Sequence, residues 1–341
     1  MRRLASEVMA VPVLDFKVGN VAWEVRRGVG GVLFLGSSPA PADLAGRTRS
    51  VIGHAPLHTR PLVMADEEGG GVQRLAPVVA QVPWPRVMAQ TMTPAAVRQL
   101  AARVGREMRS VGVTVDLAPV ADVDDRPGPN RSNPDGERSF SGDPQRAATY
   151  AVAFMRGLAD GGVLAVVKHF PGLGGTTANT DLGPAATLPL SQLVTGGLVP
   201  FRTAIHAGAR AVMVSNAAVP GLTSAPASMS SAAVTGLLDE RLGYHGLVVT
   251  DSLSAGAVLS GGRTLAQAAV SAIAAGDDLV LFGSTLTAAD IAQLSTAGVR
   301  RSYEAVVVAI ADAVRSGTLT IARLRAAATT VVAASGADLC G

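Results

Sequence analysis

The sequence predicts an α/β fold, a single (β/α)8 TIM barrel, from three observations. Short apolar, β-rich runs recur eight times. The stretches between most of them are amphipathic and long enough for helices. No Pro/Ser/Gly linker divides the 341 residues, so one domain over 1–341 is the economical arrangement. The competing doubly wound sheet needs a glycine-rich phosphate turn after an early strand, and neither G-x-G-x-x-G nor G-x-x-x-x-G-K-[ST] occurs.

The first run is "VMAVPV" from Val8. The residues before it, "MRRLASE", carry two arginines like an export signal, but Glu7 interrupts the apolar part and the run is needed as a strand. The visible chain therefore reads as cytoplasmic, or as secreted or cell-envelope if an export segment was removed upstream. "GVLFLG" from Gly31, "LVMADE" from Leu62 and "VTVDLAPV" from Val113 supply the next three strands. Before the fourth, "MTPAAVRQLAARVGREMRSVG" reads as a helix with Thr93 as N-cap, Pro94 in the first turn and Gly112 as the stop. "DPQRAATYAVAFMRGLADGG" repeats that grammar and leads into "LAVVKHF" from Leu164. "AVMVSN" from Ala211, the helical "SSAAVTGLLDERLGYHG", "GLVVTD" from Gly246 and "DLVLFG" from Asp278 complete the alternation. Two terminal helices, from about 301 to 336, would close the outer layer.

Composition narrows the function classes. With 48% hydrophobic and 16% charged residues the chain can bury a large core. Its formal charge is only +3 and its arginines are scattered, with no run of four basic residues, so nucleic acid is not an expected partner. The lone cysteine, Cys340, can form neither an internal disulfide nor a thiolate metal cluster. No apolar run approaches the ~18 residues of a membrane span. Oligomeric state stays open.

In a βα barrel the active site forms at the C-terminal ends of the strands, so polar residues there are candidates. The third strand ends in Asp66-Glu67-Glu68-Gly69-Gly70-Gly71, the fourth carries Asp116, and the fifth ends in Lys168-His169. The sixth ends in Ser215-Asn216 and the seventh in Thr250-Asp251. The plain alternative is that each caps the following helix. Lys168 resists it, because the only other lysine is Lys17 and arginine supplies every other positive side chain. His169 would alternate to the other side of an extended strand unless the chain has already turned, and a structural histidine remains open. In "DEEGGG", Asp66 and Glu68 share a face while Glu67 points away, and with no histidine nearby no metal is expected.

Four motifs in order resemble glycoside hydrolase family 3, in its single-domain β-N-acetylglucosaminidase branch. "DEEGGGVQRL" at Asp66–Leu75 is similar to the family's D-Q-E-G-G-R-V-Q-R, and "DLAPVADV" at Asp116–Val123 to its N-x-A-P-V-x-D-V. "ERSFSGDP" at Glu137–Pro144 is similar to D-R-S-F-S-x-D-P, and "KHFPG" at Lys168–Gly172 is the most specific. "VVTDSLSAGAV" after Gly246 resembles the strand carrying the nucleophile, which implies that role for Asp251. The resemblance implies sugar binding by Asp66, Arg74, Arg138, Lys168 and His169, a carbohydrate substrate (a β-linked amino sugar or glucoside), and no cofactor.

One loop departs from the family. In that branch it reads K-H-F-P-G-H-G-D-T-x-x-D-S-H, whose last histidine, oriented by the aspartate two residues earlier, is the acid/base. Here Leu173 and Gly175 replace the first histidine and aspartate, Asn179 the orienting aspartate, and Asp181 the catalytic histidine. Asp181 can serve as the acid/base itself, as carboxyl groups do in most glycosidases, with the neutral Asn179 donating a hydrogen bond to it. The chain then reads as a retaining exo-β-glycosidase, for terminal β-N-acetylglucosaminides or, as an alternative, a β-glucosidase or β-xylosidase. The other reading is a glycan-binding pseudoenzyme. Were Asp181 not the donor, Glu67, Glu68, Glu137 or a second subunit would have to supply it.

Overall fold

The structure, a computed structural model, describes residues 1–57 and 59–336; Cys340 lies outside them. Seven parallel strands follow one another around a curled sheet in chain order. They are β1 (Ala10–Leu14), β2 (Gly31–Leu35), β3 (Leu62–Ala65), β4 (Val115–Asp116), β5 (Leu164–Phe170), β6 (Ala211–Val214) and β7 (Leu247–Thr250). The eighth expected strand, from Asp278, contracts to two bridging residues: Leu279 pairs with Val249 and Val280 with Met9. That is enough to join β7 to β1, because Thr250 N–H donates to Leu279 O and Ala10 N–H to Val280 O, both at 3.0 Å. The barrel is therefore closed by hydrogen bonds on both sides of this segment.

The fourth run is also shorter than its apolar pattern suggests. Regular strand geometry ends at Asp116, although Leu117 N–H still donates to Ala65 O and Val166 N–H to Ala118 O, and a single bridge, Val120 with Lys168, follows Pro119, which has no N–H for the ladder. Alternation along the strands builds two cores. Leu33, Met64, Val166, Met213, Val249 and Leu281 fill the barrel interior. Their neighbours Val32, Val63, Val167, Val212 and Val248 face outward onto the helices.

The helices follow the expected grammar with shifted ends. Thr93 caps Pro94–Ser110 by accepting from Ala96 N–H, and Asp143 caps Pro144–Asp160 by accepting from Arg146 N–H. The segment Ala232–Arg241 winds as a π-helix. The penultimate helix begins at Thr296, five residues before the expected start, because Ser295 caps it there. The final helix, Ile321–Ala334, places Val331 in the inner core and so covers the N-terminal end of the barrel. Arg2–Glu7, which imitates an export signal in sequence, is a short helix against the penultimate one, with Ser6 Oγ 2.7 Å from Tyr303 OH.

Two helical glycines separate packing from propensity. At Gly157 a Cβ would stand 2.3 Å from Arg98 O, where Pro144–Asp160 crosses Pro94–Ser110; at Gly46, inside Leu44–Ile52, nothing lies within 4 Å. Gly157→Ala should therefore destabilise the protein by about 1–3 kcal/mol, and Gly46→Ala should stabilise it by up to about 1 kcal/mol. Urea unfolding midpoints of the two variants should move in opposite directions.

Candidate active site

The pocket at the C-terminal end of the strands is lined by Asp66, Arg138, Lys168, His169, Asn179, Asp181, Asp251 and Ser252, over an apolar floor that includes Leu33, Leu117, Met213 and Leu281. The charged groups arrive from β3, β5 and β7 and from the loops after β4 and β5.

Asp66 and Glu68 both reach Lys168 Nζ, each at 2.6 Å. Glu67 between them turns into the hairpin formed by Glu67–Gly69 and Val72–Gln73, where its carboxylate accepts from Leu75 N–H and Gln73 Nε2. The period-two expectation for "DEE" holds. Glu68 also accepts a bidentate pair from Arg138, Nε and Nη2 each at 2.7 Å. Burial pushes the Glu68 carboxyl up, but Arg138 and Lys168 together outweigh it and hold it far below the ordinary carboxylate range. Burial alone would lower both cations, but Asp66 and then Glu68 raise Lys168, and Glu68 raises Arg138, above their ordinary values.

Lys168 continues the inward face of β5 after Leu164 and Val166. His169 reaches the same pocket because the register with β6 shifts between Val167 and Phe170; the Lys168–His169 peptide is cis. His169 Nδ1 lies 2.6 Å from Asp122 Oδ2, and the other carboxylate oxygen accepts Leu173 N–H at 2.7 Å. Burial and the nearby Arg138 lower His169 to about 4, which favours the neutral ring. Asp122 also faces Asp135: one oxygen of each carboxyl and one ring nitrogen of His169 lie within 4.8 Å of one another. Among the described residues this is the one group with the residue types and spacing of a metal site.

Asp251 follows β7. Its Oδ1 accepts Ser252 N–H at 2.7 Å, and Ser252 is braced by Asn216 Nδ2, which donates to Ser252 O at 2.8 Å. Asp181 comes from the loop after β5, whose backbone is tied to the segment after Asp251: Gly256 N–H donates to Asp181 O and Ala257 N–H to Thr180 O. Asn179 does not donate to the Asp181 carboxyl as expected; its Oδ1 accepts Asp181 N–H at 2.9 Å and shapes the turn. Earlier in the loop only glycine fits at 174, since a Cβ there would stand 1.9 Å from Val123 O. Burial raises both acids, and Asp181 raises Asp251 further.

Arg74 does not line this pocket. Its Nη1 donates to Gly36 O at 3.4 Å, and its buried Nε has no partner. Asp116 is buried below the mouth and accepts Glu67 N–H at 2.9 Å. Exposed Glu137 lies outside the pocket, and Glu67 and Glu68 are committed to their own partners, which disfavours all three as proton donors. Asp122 and Asp135 had no expected role. Asp122 stands in the "DLAPVADV" motif, but Asp135 sits in an aperiodic loop that signals nothing.

The glycosyl hydrolase family 3 N-terminal domain profile matches residues 9–334. The chain belongs to glycosyl hydrolase family 3. It is 42% identical over 266 residues to the beta-hexosaminidase LpqI of Mycobacterium tuberculosis, covering 75% of this chain and 66% of that one. With a beta-hexosaminidase of Methylobacillus flagellatus it shares 34% identity, over 74% of this chain and 73% of that one. A solved family 3 glycosyl hydrolase of Mycobacterium smegmatis superimposes with a TM-score of 0.83 at 36% identity, covering 98% of this chain and 96% of that one.

Removing the Glu68 charge leaves two cations facing each other out of water. Glu68→Gln should therefore lose about 3–5 kcal/mol of stability at pH 7. The contribution of Glu68 is complete above the unfolded carboxylate value near pH 4.3 and fades as pH falls below it toward the depressed native value. Denaturant titrations of wild type and Glu68→Gln at pH 7 and pH 3 should show the gap narrowing in acid.

Proposed function

We propose that this protein is a retaining exo-acting β-glycosidase that hydrolyses terminal β-N-acetylglucosaminides, with Asp251 as nucleophile and Asp181 as acid/base. The observation that carries the reading is that both carboxyls line one pocket and that Asp181 opposes the ionisation of Asp251. Two acids that interact in this way in one pocket favour a state with one proton between them, and a retaining glycosidase begins its cycle with one carboxylate and one carboxylic acid.

Their surroundings suggest which is which. Asp251 accepts Ser252 N–H and lies near Lys168, whose charge favours its anion. For Asp181 burial is the largest influence, with Asp66 adding to it and only Arg138 opposing. The anion belongs on Asp251, which attacks the anomeric carbon as Asp181 gives its proton to the departing oxygen. Asp181 then takes a proton from water, whose oxygen attacks the same carbon and releases the sugar from Asp251.

In this reading Lys168 and Arg138 donate to sugar hydroxyls, Asp66 accepts, and the apolar floor carries the ring face. Asn179 orients the donor by fixing the backbone of Asp181. No step requires a cofactor. The amino-sugar preference is carried by the family and by the printed activity of relatives named beta-hexosaminidases.

Nitrophenyl and oligosaccharide β-N-acetylglucosaminides test both roles. Asp251→Asn should lose at least about 10³-fold in kcat on both substrates, and Asp181→Ala about 10²-fold or more on the oligosaccharide but far less on the nitrophenyl glycoside, which needs little protonation. Wild type as slow as Asp251→Asn on aryl N-acetylglucosaminides, glucosides and xylosides would leave a glycan-binding protein. Equal losses for Asp181→Ala on both substrates would remove Asp181 as the donor.

A further inference from the structure

Behind His169 lies a second carboxyl pair that the hydrolytic reading does not use. Asp135 and Asp122 are both fully buried, and their carboxyls meet beside the His169 ring. The two differ in their donors. Asp122 receives His169 N–H, His169 Nδ1 and Leu173 N–H. No other residue donates a hydrogen bond to either carboxyl oxygen of Asp135, whose side-chain hydrogen-bonding contact is the Asp122 carboxyl itself, although its backbone is held by Asn133 Oδ1 and by Arg138 N–H.

A buried carboxylate without donors costs far more than a buried carboxylic acid, so the negative charge belongs on Asp122 and the proton on Asp135. Burial and then Asp122 itself push Asp135 well above the ordinary carboxyl value. Resting on the reading of this pocket as a sugar site, we propose that Asp135 is a positioning residue. As a neutral acid it donates its proton to Asp122, which keeps Asp122 a single anion and holds His169 with its proton on Nδ1. Nε2 is then left as an acceptor for a sugar hydroxyl, complementary to the donors Lys168 and Arg138.

The charged groups around Asp135 set its pH response. Asp122 and Asp124 oppose its ionisation, Arg138 and protonated His169 would favour it, and Arg126 feels its charge. When Asp135 does ionise at alkaline pH, two like charges face each other and the contact that holds His169 opens. Sugar binding then weakens on the alkaline side.

The test compares wild type, Asp135→Asn and Asp135→Leu on a nitrophenyl β-N-acetylglucosaminide across pH, together with ¹⁵N-histidine NMR of each protein. Asparagine can donate to Asp122 but cannot ionise. It should keep KM within about twofold of wild type at neutral pH and remove the alkaline rise in KM, whereas leucine should raise KM about tenfold with a smaller change in kcat. The NMR should show neutral His169 protonated at Nδ1 in wild type and Asp135→Asn. The inference is overturned if asparagine behaves like leucine, if the alkaline rise persists in Asp135→Asn, or if wild-type His169 carries its proton on Nε2. Tight binding of zinc or manganese ions to wild type that Asp135→Asn abolishes would also overturn it, by putting a cation where the proton belongs. The NMR needs no turnover, so a wild type that hydrolyses nothing but shows the expected tautomer refutes the glycosidase reading and not the pair.

Discussion

Glu68 is a carboxylate buried under the barrel mouth, with Lys168 on one oxygen and the two forks of Arg138 spread over both. Lys168 and Arg138 are themselves nearly enclosed, and without an anion between them each would drive the other toward solvent or toward deprotonation. The clamp fixes where two cationic donors stand relative to the floor of the pocket. Asp66 adds a second acceptor to Lys168 from the same face of the same segment. This arrangement requires the hairpin after β3, which turns Glu67 to the opposite side and satisfies it there.

The acids of the pocket are ordered around that positive centre. Arg138 opposes the upward shifts of Asp181, Asp122 and Asp135, and it helps to hold His169 neutral. Asp251 stands beside Lys168 and His169, and Asp181 stands further out on a loop tied to the segment that follows Asp251. Burial supplies the tendency of Asp251, Asp122 and Asp135 to keep a proton, and the local donors decide which of them give it up. In the proposed reaction that contrast separates nucleophile from acid, and in the proposed support of His169 it separates Asp122 from Asp135.

The barrel was readable because its strands are buried on both faces and its helices carry clear N-caps, as at Thr93 and Asp143. The eighth strand was overestimated: "DLVLFG" is apolar enough for a strand, but only Leu279 and Val280 make barrel bridges. In the site, the shared facing of Asp66 and Glu68 followed from strand periodicity. Periodicity fails at His169, where the register shifts, and side-chain chemistry alone misplaced Asn179, whose amide oxygen serves the backbone and not the neighbouring carboxyl. Asp135 could not be read from sequence, because its meaning lies in contact with Asp122 and His169, residues distant in the chain. Arg74 matches a motif but serves Gly36 instead of the pocket.

The account rests on Asp251 carrying the sugar while Asp181 governs protonation. Its most direct test is mass spectrometry of Asp181→Ala quenched during turnover of an activated nitrophenyl β-N-acetylglucosaminide, where loss of the base slows hydrolysis of the intermediate more than its formation. The account predicts a glycosyl adduct on the peptide containing Asp251. Turnover with no adduct, or an adduct on any other residue, would contradict it.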